Sequence, residues 1–278
     1  MTYRGRIAPT PTGDMHVGHA RTFVSAWRRA VEQRGALVLR IEDLDPLRCR
    51  AEWTERAIDD LTWLGVRWTE GPYHQSQRRD LFERTWRTLR DAGLVYPCSV
   101  SRREVRDAAH APHDDEEGRE SIFPPALRPA PDAGRDARTP AGTVWRFRVP
   151  DGETIRFTDA RLGPQAFTAG VDFGDFVVWR KDDVPAYELA VVADDVAMGI
   201  TEVVRAEDLL LSTARQLLVY RALGAVPPAW RHLPLVRDAE GRRLAKRNRA
   251  LSIRELRSRG LTPTEVLEIA ETGELPRE

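Results

Sequence analysis

The sequence contains little cysteine and no long apolar run. Its only cysteines are Cys49 and Cys98, which are too few for a disulfide framework and favour a reducing compartment. No apolar run approaches the roughly 18 residues that a membrane-spanning helix needs. The first residues, MTYRGRIAPT, contain no signal-peptide hydrophobic region. We therefore expect a cytoplasmic protein that has no membrane partner.

The chain also has no net charge at neutral pH and very few lysines. The 43 basic residues balance the 43 acidic ones, so whole-chain charge does not indicate a nucleic-acid partner, although a local basic stripe would suffice to bind one. Only Lys181 and Lys246 are lysines. Lysine offers a compact point charge where arginine offers a planar fork, so each is a candidate for a specific role, with chance retention as the alternative. The 278 residues are enough for one or two domains, and we expect a monomer.

One stretch, RIAPTPTGDMHVGH from Arg6 to His19, carries most of the functional information. Residues 3–8 predict a strand, a Pro/Gly turn follows, and a helix is predicted from His16 to about Arg34. The spacing of His16 and His19 places both imidazoles on one face near the helix N-terminus, where N–H groups and the helix dipole attract phosphate. Gly18 has no Cβ, so a nucleotide can approach the backbone there. The pattern predicts a phosphate site, and two polar residues capping a surface helix are the alternative.

The remaining pattern predicts alternating strands and helices. Residues 36–41 read as a second strand, which completes a βαβ unit whose ligand should lie at the carboxyl ends of the strands. Helices are predicted near 50–65, 76–93 and 209–223, and a helical tail over 251–270. Strands are predicted at 143–148 and 153–158, joined as a hairpin by Pro150-Asp151-Gly152, and at 175–180 and 200–204. Residues 187–195 read as a buried segment that ends in two acids.

These elements predict an α/β fold: a Rossmann-like doubly wound parallel sheet with an inserted α+β subdomain and a short helical C-terminal tail. The two halves of the nucleotide-binding domain are expected at 1–95 and 176–250, the insertion at 96–175 and the tail at 251–278. Residues 99–142 are rich in charged residues, proline and alanine without a clear period, and part of them is expected to be mobile.

The string PTPTGDMHVGH resembles the first signature of class I aminoacyl-tRNA synthetases, and RIAPTPTG resembles their glutamate-specific branch. In that family the two histidines stabilise charge on the α-phosphate while a carboxylate displaces pyrophosphate from ATP. The string GRRLAKR at 241–247 resembles the second signature, a mobile lysine-containing loop, with Arg243 and Ala245 replacing a lysine and a serine. The resemblance implies ATP with Mg²⁺ as co-substrate. It also implies His16, His19 and Lys246 as catalytic residues, and an ATP site formed by His16, Gly18, His19, Arg243 and Lys246.

The resemblance also implies a pocket for L-glutamate. The positions that match the family's pocket are Arg6, Ile7, Ala8, Pro9, Thr10, Glu42, Tyr187 and Arg205. An arginine can bind the substrate's side-chain carboxylate through two N–H groups, Glu42 can pair with its ammonium group, and Tyr187 adds a hydroxyl. A buried arginine would be left unpaired opposite neutral glutamine, which would therefore be rejected. Taken alone, Glu42 and Arg205 could also be surface charges and Tyr187 a core tyrosine.

The length of the chain bears on the second substrate. Glutamate-specific synthetases carry an anticodon-binding portion after the catalytic half, whereas this chain ends about 30 residues after Lys246. It resembles the short members of the branch, which transfer activated glutamate to queuosine in the anticodon loop of tRNA(Asp). The implied substrates are L-glutamate, ATP and queuosine-containing tRNA(Asp). A truncated synthetase that charges tRNA(Glu), a non-catalytic paralogue and a small-molecule adenylyltransferase remain alternatives.

The short members often hold a structural zinc in the insertion through a CxC pair, a tyrosine and a later cysteine. Here Cys98 matches the first ligand, Val100 replaces the second, and no cysteine follows. One thiolate cannot build a four-ligand zinc site, although His110 and His113 leave a Cys/His site as an alternative. We therefore expect no metal site in the protein, with Cys98 as a lone remnant.

Overall fold

The chain opens with a parallel βαβ unit. The computed structural model describes residues 2–101, 104–105, 122–237 and 252–272. Strand β1 (Arg4–Ile7) leads to helix α1 (Val17–Glu32), and β2 (Ala36–Ile41) pairs parallel with β1. The helix forms because apolar residues recur at helical spacing, and its buried side chains are Val17, Ala20, Phe23, Val24, Ala26 and Ala30.

The later elements alternate between helices and strands. The helices are α2 (Ala51–Trp63), α3 (Arg79–Asp91), α4 (Tyr187–Ala197), α5 (Leu210–Ala222), α6 (Ile253–Ser258) and α7 (Pro263–Thr272). The strands are β3 (Glu70–His74), β4 (Val95–Cys98), β5 (Val144–Phe147), β6 (Thr154–Asp159), β7 (Gly163–Thr168), β8 (Phe176–Trp179), β9 (Glu202–Ala206) and β10 (Ala229–Leu233). The predicted helices and strands are confirmed to within a few residues. The apolar segment 187–195, whose pattern left its secondary structure open, lies in helix α4.

The parallel strands lie in two hydrogen-bonded sheets, one with the order β1-β2-β3 and one with the order β7-β6-β10-β9. The sheets meet where the Thr201 N–H donates to the Arg4 carbonyl at 2.8 Å. Farther along, the Val204 carbonyl on β9 accepts from the side chain of Arg6 at 3.2 Å. The α/β fold is therefore confirmed, but the expected single sheet is divided because an arginine side chain enters between β1 and β9.

A separate antiparallel sheet has the order β4-β5-β8. The predicted hairpin between 143–148 and 153–158 is wrong, because β5 pairs with β4 and β8 while β6 pairs with β7 and, through Asp159 and Trp230, with β10. The tight turn exists, since the Glu153 N–H donates to the Pro150 carbonyl at 3.0 Å. A turn signal is local, whereas the partner of a strand is chosen by packing. Here the rings of Phe147 and Phe176 stack 5.1 Å apart across β5 and β8.

The tail helices pack against the first unit. Val266 and Ile269 of α7 are buried in the same apolar cluster as Phe23 of α1 and Ile253 of α6. This contact brings the chain that follows residue 251 to the N-terminal half of the molecule. None of the described helices combines the length and the apolar composition that a bilayer crossing needs. The expected division into domains at 95, 175 and 250 stays a prediction.

Candidate active site

Two stacked histidines form the N-terminus of α1. The Nδ1 atom of His16, the N-cap residue, accepts the Gly18 N–H at 3.0 Å. The Nδ1 atom of His19 accepts the His16 N–H at 3.2 Å, and the two rings stack with centroids 3.8 Å apart. Because each Nδ1 accepts, the proton of each neutral ring is on Nε2. The two Nε2–H groups can donate to an anion, which the positive end of the helix dipole also attracts.

Gly18 is required by the first of these rings. A Cβ atom at residue 18 would lie 2.9 Å from Cε1 and 3.0 Å from Nδ1 of His16. The sequence pattern suggested that Gly18 admits a nucleotide to the backbone. That role stays a prediction, and in the structure the ring of the histidine two residues earlier fills the space beside the glycine.

The flanks of residues 238–251 lie against this helix end. On one side, Val236 approaches the Cβ position of Gly18 to 3.9 Å. On the other, the Ile253 N–H donates to the Met15 carbonyl at 2.8 Å, and Ser252 forms a β-bridge with His16. The predicted phosphate ligands Arg243 and Lys246 lie outside the described residues, but both ends of the segment that carries them are beside the paired histidines.

Arg6 is a buried cation with an unused donor. It leaves β1 and is 5% exposed. Its Nη1 donates to the Val204 carbonyl, whereas its Nε has no hydrogen-bond partner among the described residues and lies 3.8 Å from the carboxylate of Asp195. Burial lowers the pKa of Arg6, and the nearby Asp195 charge opposes that shift. A buried guanidinium with an unpaired N–H is costly, so the position favours binding of an anionic partner.

The turn after β1 meets the end of β2. The Glu42 N–H donates to the Pro9 carbonyl at 3.0 Å, which fixes the predicted pocket segment from Ile7 to Thr10 beside Glu42. Ile7 and Pro9 are buried, Ala8 is half-buried and Thr10 is exposed. The sequence pattern and the structure therefore place these residues at the same strand ends.

Glu42 is held by an arginine that the sequence analysis did not single out. Arg40 is fully buried, and it donates to Glu42 at 3.1 Å and to Asp195 at 2.6 Å. Burial raises the pKa of Glu42, while Arg40 and Arg6 lower it. A signal for this group was available, because Arg40 is the only charged residue within the apolar run ALVLRI. A charge in such a strand indicates a buried ion pair.

Tyr187 opens α4 and faces the same charges. The residue as a whole is 38% exposed, but the surroundings of the hydroxyl raise its pKa by desolvation, Arg205 and Arg6 lower it, and Glu42 raises it further. The hydroxyl therefore lies within electrostatic reach of the other three predicted pocket side chains. The structure thus brings together Arg6, Glu42, Tyr187 and Arg205, which are far apart in the sequence.

Arg205 is bound more tightly by the protein than expected. Four of its five N–H groups donate within the described residues, to His232, Gln216, Thr213 and the carbonyl of Leu209. One Nη1 N–H of Arg205 therefore remains for a substrate, and the assignment of Arg205 to the glutamate pocket stays a prediction. The sequence analysis did not identify these partners, because polar residues in or near an apolar helix carry no spacing signal that assigns them to one arginine.

The described residues hold no metal-binding cluster. No group of three or more His, Cys, Asp or Glu side chains among them could hold a metal ion. Cys98 is buried, and its thiol lies 3.9 Å from the Val100 carbonyl. His110 and His113, the alternative ligands, lie outside the described residues.

The α/β fold and the paired histidines at the start of α1 define a class I aminoacyl-tRNA synthetase catalytic domain. The chain matches the family model of the "tRNA synthetases class I (E and Q), catalytic domain" over residues 2–271. It belongs to this family.

Two curated relatives and one solved structure show where in the family the similarity lies. The chain is 44% identical over 268 residues to the glutamyl-Q tRNA(Asp) synthetase of Nitratidesulfovibrio vulgaris, covering 93% of this chain and 82% of that one. It is 45% identical over 274 residues to the protein of the same name from Symbiobacterium thermophilum, covering 95% and 84%. A glutamate tRNA ligase from Elizabethkingia meningosepticum, solved with its amino acid, superposes with a TM-score of 0.74 at 28% identity over 94% of this chain. The match covers 54% of that ligase, so this chain spans about half its length.

Proposed function

We propose that the protein activates L-glutamate with ATP to form glutamyl-AMP and transfers the glutamyl group to queuosine in the anticodon loop of tRNA(Asp). The observation that carries the proposal is the arrangement of one continuous segment. Strand β1 carries the buried Arg6 one residue before its end, and the turn that follows leads to the stacked rings of His16 and His19. A carboxylate site and a phosphate site therefore adjoin, as the joining of an amino acid to a nucleotide requires.

In the first step, an oxygen of the α-carboxylate of glutamate attacks the α-phosphorus of ATP. The bond from that phosphorus to the bridging oxygen breaks, and pyrophosphate leaves with the electron pair. The Nε2–H groups of His16 and His19 donate to the phosphate oxygens on which negative charge grows. Loss of one such donor typically raises the barrier by about 2.7–4 kcal/mol.

Arg243 and Lys246 contact the departing phosphates in this proposal. Their assignment rests on the resemblance to the second signature and on the flanks of 238–251, which lie beside His16 and Gly18. Mg²⁺ bound to the triphosphate would neutralise part of the negative charge of the phosphates.

The glutamate pocket contains two cations for the side-chain carboxylate and one anion for the ammonium group. Arg6 offers its charge, and Arg205 offers its charge and one Nη1 N–H, next to the Tyr187 hydroxyl. Glu42 receives the ammonium group, and the main chain from Ile7 to Thr10 lines the pocket. Neutral glutamine is rejected because its amide would leave the buried Arg205 guanidinium without the anion that it binds, whereas Arg6 already lies 3.8 Å from Asp195.

The test has two stages and uses the full chain. ATP–pyrophosphate exchange is measured with glutamate, with glutamine and with each of the other amino acids, and we expect exchange with glutamate alone. Labelled glutamate is then offered with queuosine-containing tRNA(Asp), the same tRNA without queuosine, and tRNA(Glu). We expect label only on the queuosine-containing tRNA(Asp). Label on tRNA(Glu) would instead show a glutamate–tRNA ligase, and absence of glutamate-dependent exchange would reject the activation step itself.

A further inference from the structure

Arg205 is held by protein groups from several elements. It is 3% exposed, and its guanidinium carbon lies 4.7 Å from the centroid of the Trp230 ring. Its Nη2 donates to the hydroxyl of Thr213 at 2.7 Å, and its Nη1 donates to Gln216 at 2.9 Å. The remaining nitrogen, Nε, donates to Nε2 of His232 at 3.0 Å. Because Arg205 donates to this nitrogen, the contact determines which nitrogen of the His232 ring carries the proton.

The contact with Arg205 fixes the tautomer of His232. The Nε2 atom can accept an N–H only when it carries no proton, so the proton of the neutral ring is on Nδ1. The Nδ1 atom lies 2.7 Å from the carboxylate of Asp159, which accepts that proton's hydrogen bond. Burial, followed by the charge of Arg205, lowers the pKa of His232 to about 4. The ring is therefore neutral near pH 7, as the contact requires.

Asp159 is itself held in place by main-chain groups. Its Oδ1 accepts the N–H groups of Arg161 and Leu162, each at 2.9 Å, and its Oδ2 accepts the N–H of His232 at 3.0 Å. Asp159 ends β6, where it pairs with Trp230 of β10. The carboxylate cannot rotate away from the imidazole without losing these bonds, so the orientation of His232 is set by the turn between β6 and β7.

We propose that Asp159 and His232 are positioning residues that hold the Arg205 guanidinium in the orientation in which it meets the side-chain carboxylate of the substrate. The proposal rests on the function assigned above to Arg205. A free arginine side chain has many rotamers, and fixing it before the substrate arrives removes that cost from binding. His232, which Asp159 holds in place, accepts the Nε–H of Arg205, so the N–H that remains for the substrate is on Nη1. Because Asp159 ends β6, the β6–β7 hairpin affects which amino acid is selected, through His232 and Arg205.

A core histidine without this role would behave differently. Substitution of a purely structural His232 would lower stability or affect the use of both substrates alike. A positioning role instead raises the KM for glutamate and leaves the KM for ATP unchanged, because the ATP site lies at the start of α1. The split between the two KM values therefore separates the two roles.

Two substitutions at the same position separate the bond of the ring to Asp159 from its contacts at Nε2, which accepts from Arg205 Nε and lies 3.2 Å from the Thr213 hydroxyl. In His232→Asn, the amide reaches about as far as Nδ1, so it can still donate to Asp159 but leaves Arg205 Nε without an acceptor. In His232→Gln, the longer side chain can present its oxygen near the Nε2 position. In ATP–pyrophosphate exchange we expect His232→Asn to raise the glutamate KM at least about tenfold, the size expected for loss of a hydrogen bond to a charged group. We expect His232→Gln to restore most of the loss.

The double variant tests whether His232 acts through Arg205. We expect Arg205→Lys to raise the glutamate KM, and addition of His232→Asn to that variant to raise it no further. Additive effects, or an unchanged glutamate KM in His232→Asn, overturn the positioning role while the proposed function stands if Arg205→Lys still raises the KM. Absence of exchange in the unmodified protein means that the proposed function has failed instead.

Asp159→Asn is the second variant if His232→Asn does not fold. Its amide would donate to Nδ1 and move the ring proton to Nε2, where it would face the N–H of Arg205. A higher glutamate KM with an unchanged ATP KM supports the proposal. An unchanged glutamate KM in a folded Asp159→Asn protein overturns it.

Discussion

The imidazole of His16 occupies the space in which a side chain at Gly18 would begin. A Cβ atom at residue 18 would lie 2.9 Å from Cε1 of His16, closer than Cβ contacts in proteins come. The ring cannot keep its present orientation, its stacking on His19 and its bond to the Gly18 N–H if residue 18 is anything but glycine. The glycine of the HxGH pattern is therefore needed for the geometry of the first histidine.

Gly18→Ala is expected to lower kcat for ATP–pyrophosphate exchange by roughly a hundredfold, because displacement of a catalytic donor by about 1 Å can have that effect. Thermal stability should change little, since the gain of up to about 1 kcal/mol from alanine in a helix is offset by loss of the His16 cap bond, typically about 1 kcal/mol. Ser25→Ala, on the same helix, is the control and should leave kcat unchanged. A fully active Gly18→Ala protein would contradict the role of the His16 ring.

Glu42→Gln is expected to raise the KM for glutamate by about tenfold to a hundredfold, the range for a lost charged hydrogen bond. Burial raises the pKa of Glu42, so the KM of the unmodified protein should rise as the pH falls through that raised pKa and Glu42 takes up a proton. The variant should show a high KM without this pH dependence. Asp43→Asn, which alters the neighbouring carboxylate bonded to His74 and Ser76, is the matched control. A pH profile retained in Glu42→Gln would exclude Glu42 as its source.

Lys246→Ala is expected to lower kcat for exchange about a hundredfold to a thousandfold, as for loss of one donor to a developing charge, with little change in glutamate KM. Lys181→Ala removes the other lysine of the chain, which is exposed, and should have no effect. Equal activities of the two variants would show that the retained lysines have no distinct roles.

Asp60 should make the protein less stable as the pH rises. It is fully buried, its carboxylate oxygens have no hydrogen-bond partner among the described residues, and burial raises its pKa to about 6 even though Arg254 lies 3.5 Å away. The folded state therefore holds the proton more tightly than the unfolded state, whose pKa is about 3.9. The stabilisation is complete below about pH 4 and is lost as the pH rises through about 6.

Asp60→Asn is expected to remove this loss, which amounts to about 2 to 3 kcal/mol of unfolding free energy above pH 7. Thermal unfolding is measured for both proteins from pH 4.5 to 8, and the difference in Tm should grow in favour of the variant as the pH rises. Asp59→Asn changes the adjacent, half-exposed carboxylate that also bonds Arg254 and serves as the control. A Tm difference independent of pH would show that Asp60 does not titrate in this range.

The parts of the fold that depend on neighbouring residues could be predicted. Helix α1 follows from its apolar spacing, and its N-terminus follows from the Pro/Gly turn and the two histidines. The hairpin after β5 could not be predicted correctly, because a turn signal does not say which strand will be the partner. The pairing is decided by aromatic side chains that meet only in the folded protein.

The candidate site divides in the same way. His16, His19 and the segment from Arg6 to Thr10 could be identified from the sequence because they lie within one short stretch. Glu42, Tyr187 and Arg205 could be identified only through the resemblance to a family. Several of the residues that hold these side chains in place could not be identified from the sequence, because they lie far from them along the chain. Asp195 is 155 residues from Arg40, and Asp159 is 73 residues from His232.

By itself, the order of residues in this chain determined a strand that leads through a glycine turn to two histidines, because those interactions reach only a few residues along the backbone. Only the tertiary structure decided which buried charges meet. Ionised side chains inside a protein are stable only beside partners, and those partners are supplied by strands and helices that the fold, not the sequence order, brings together.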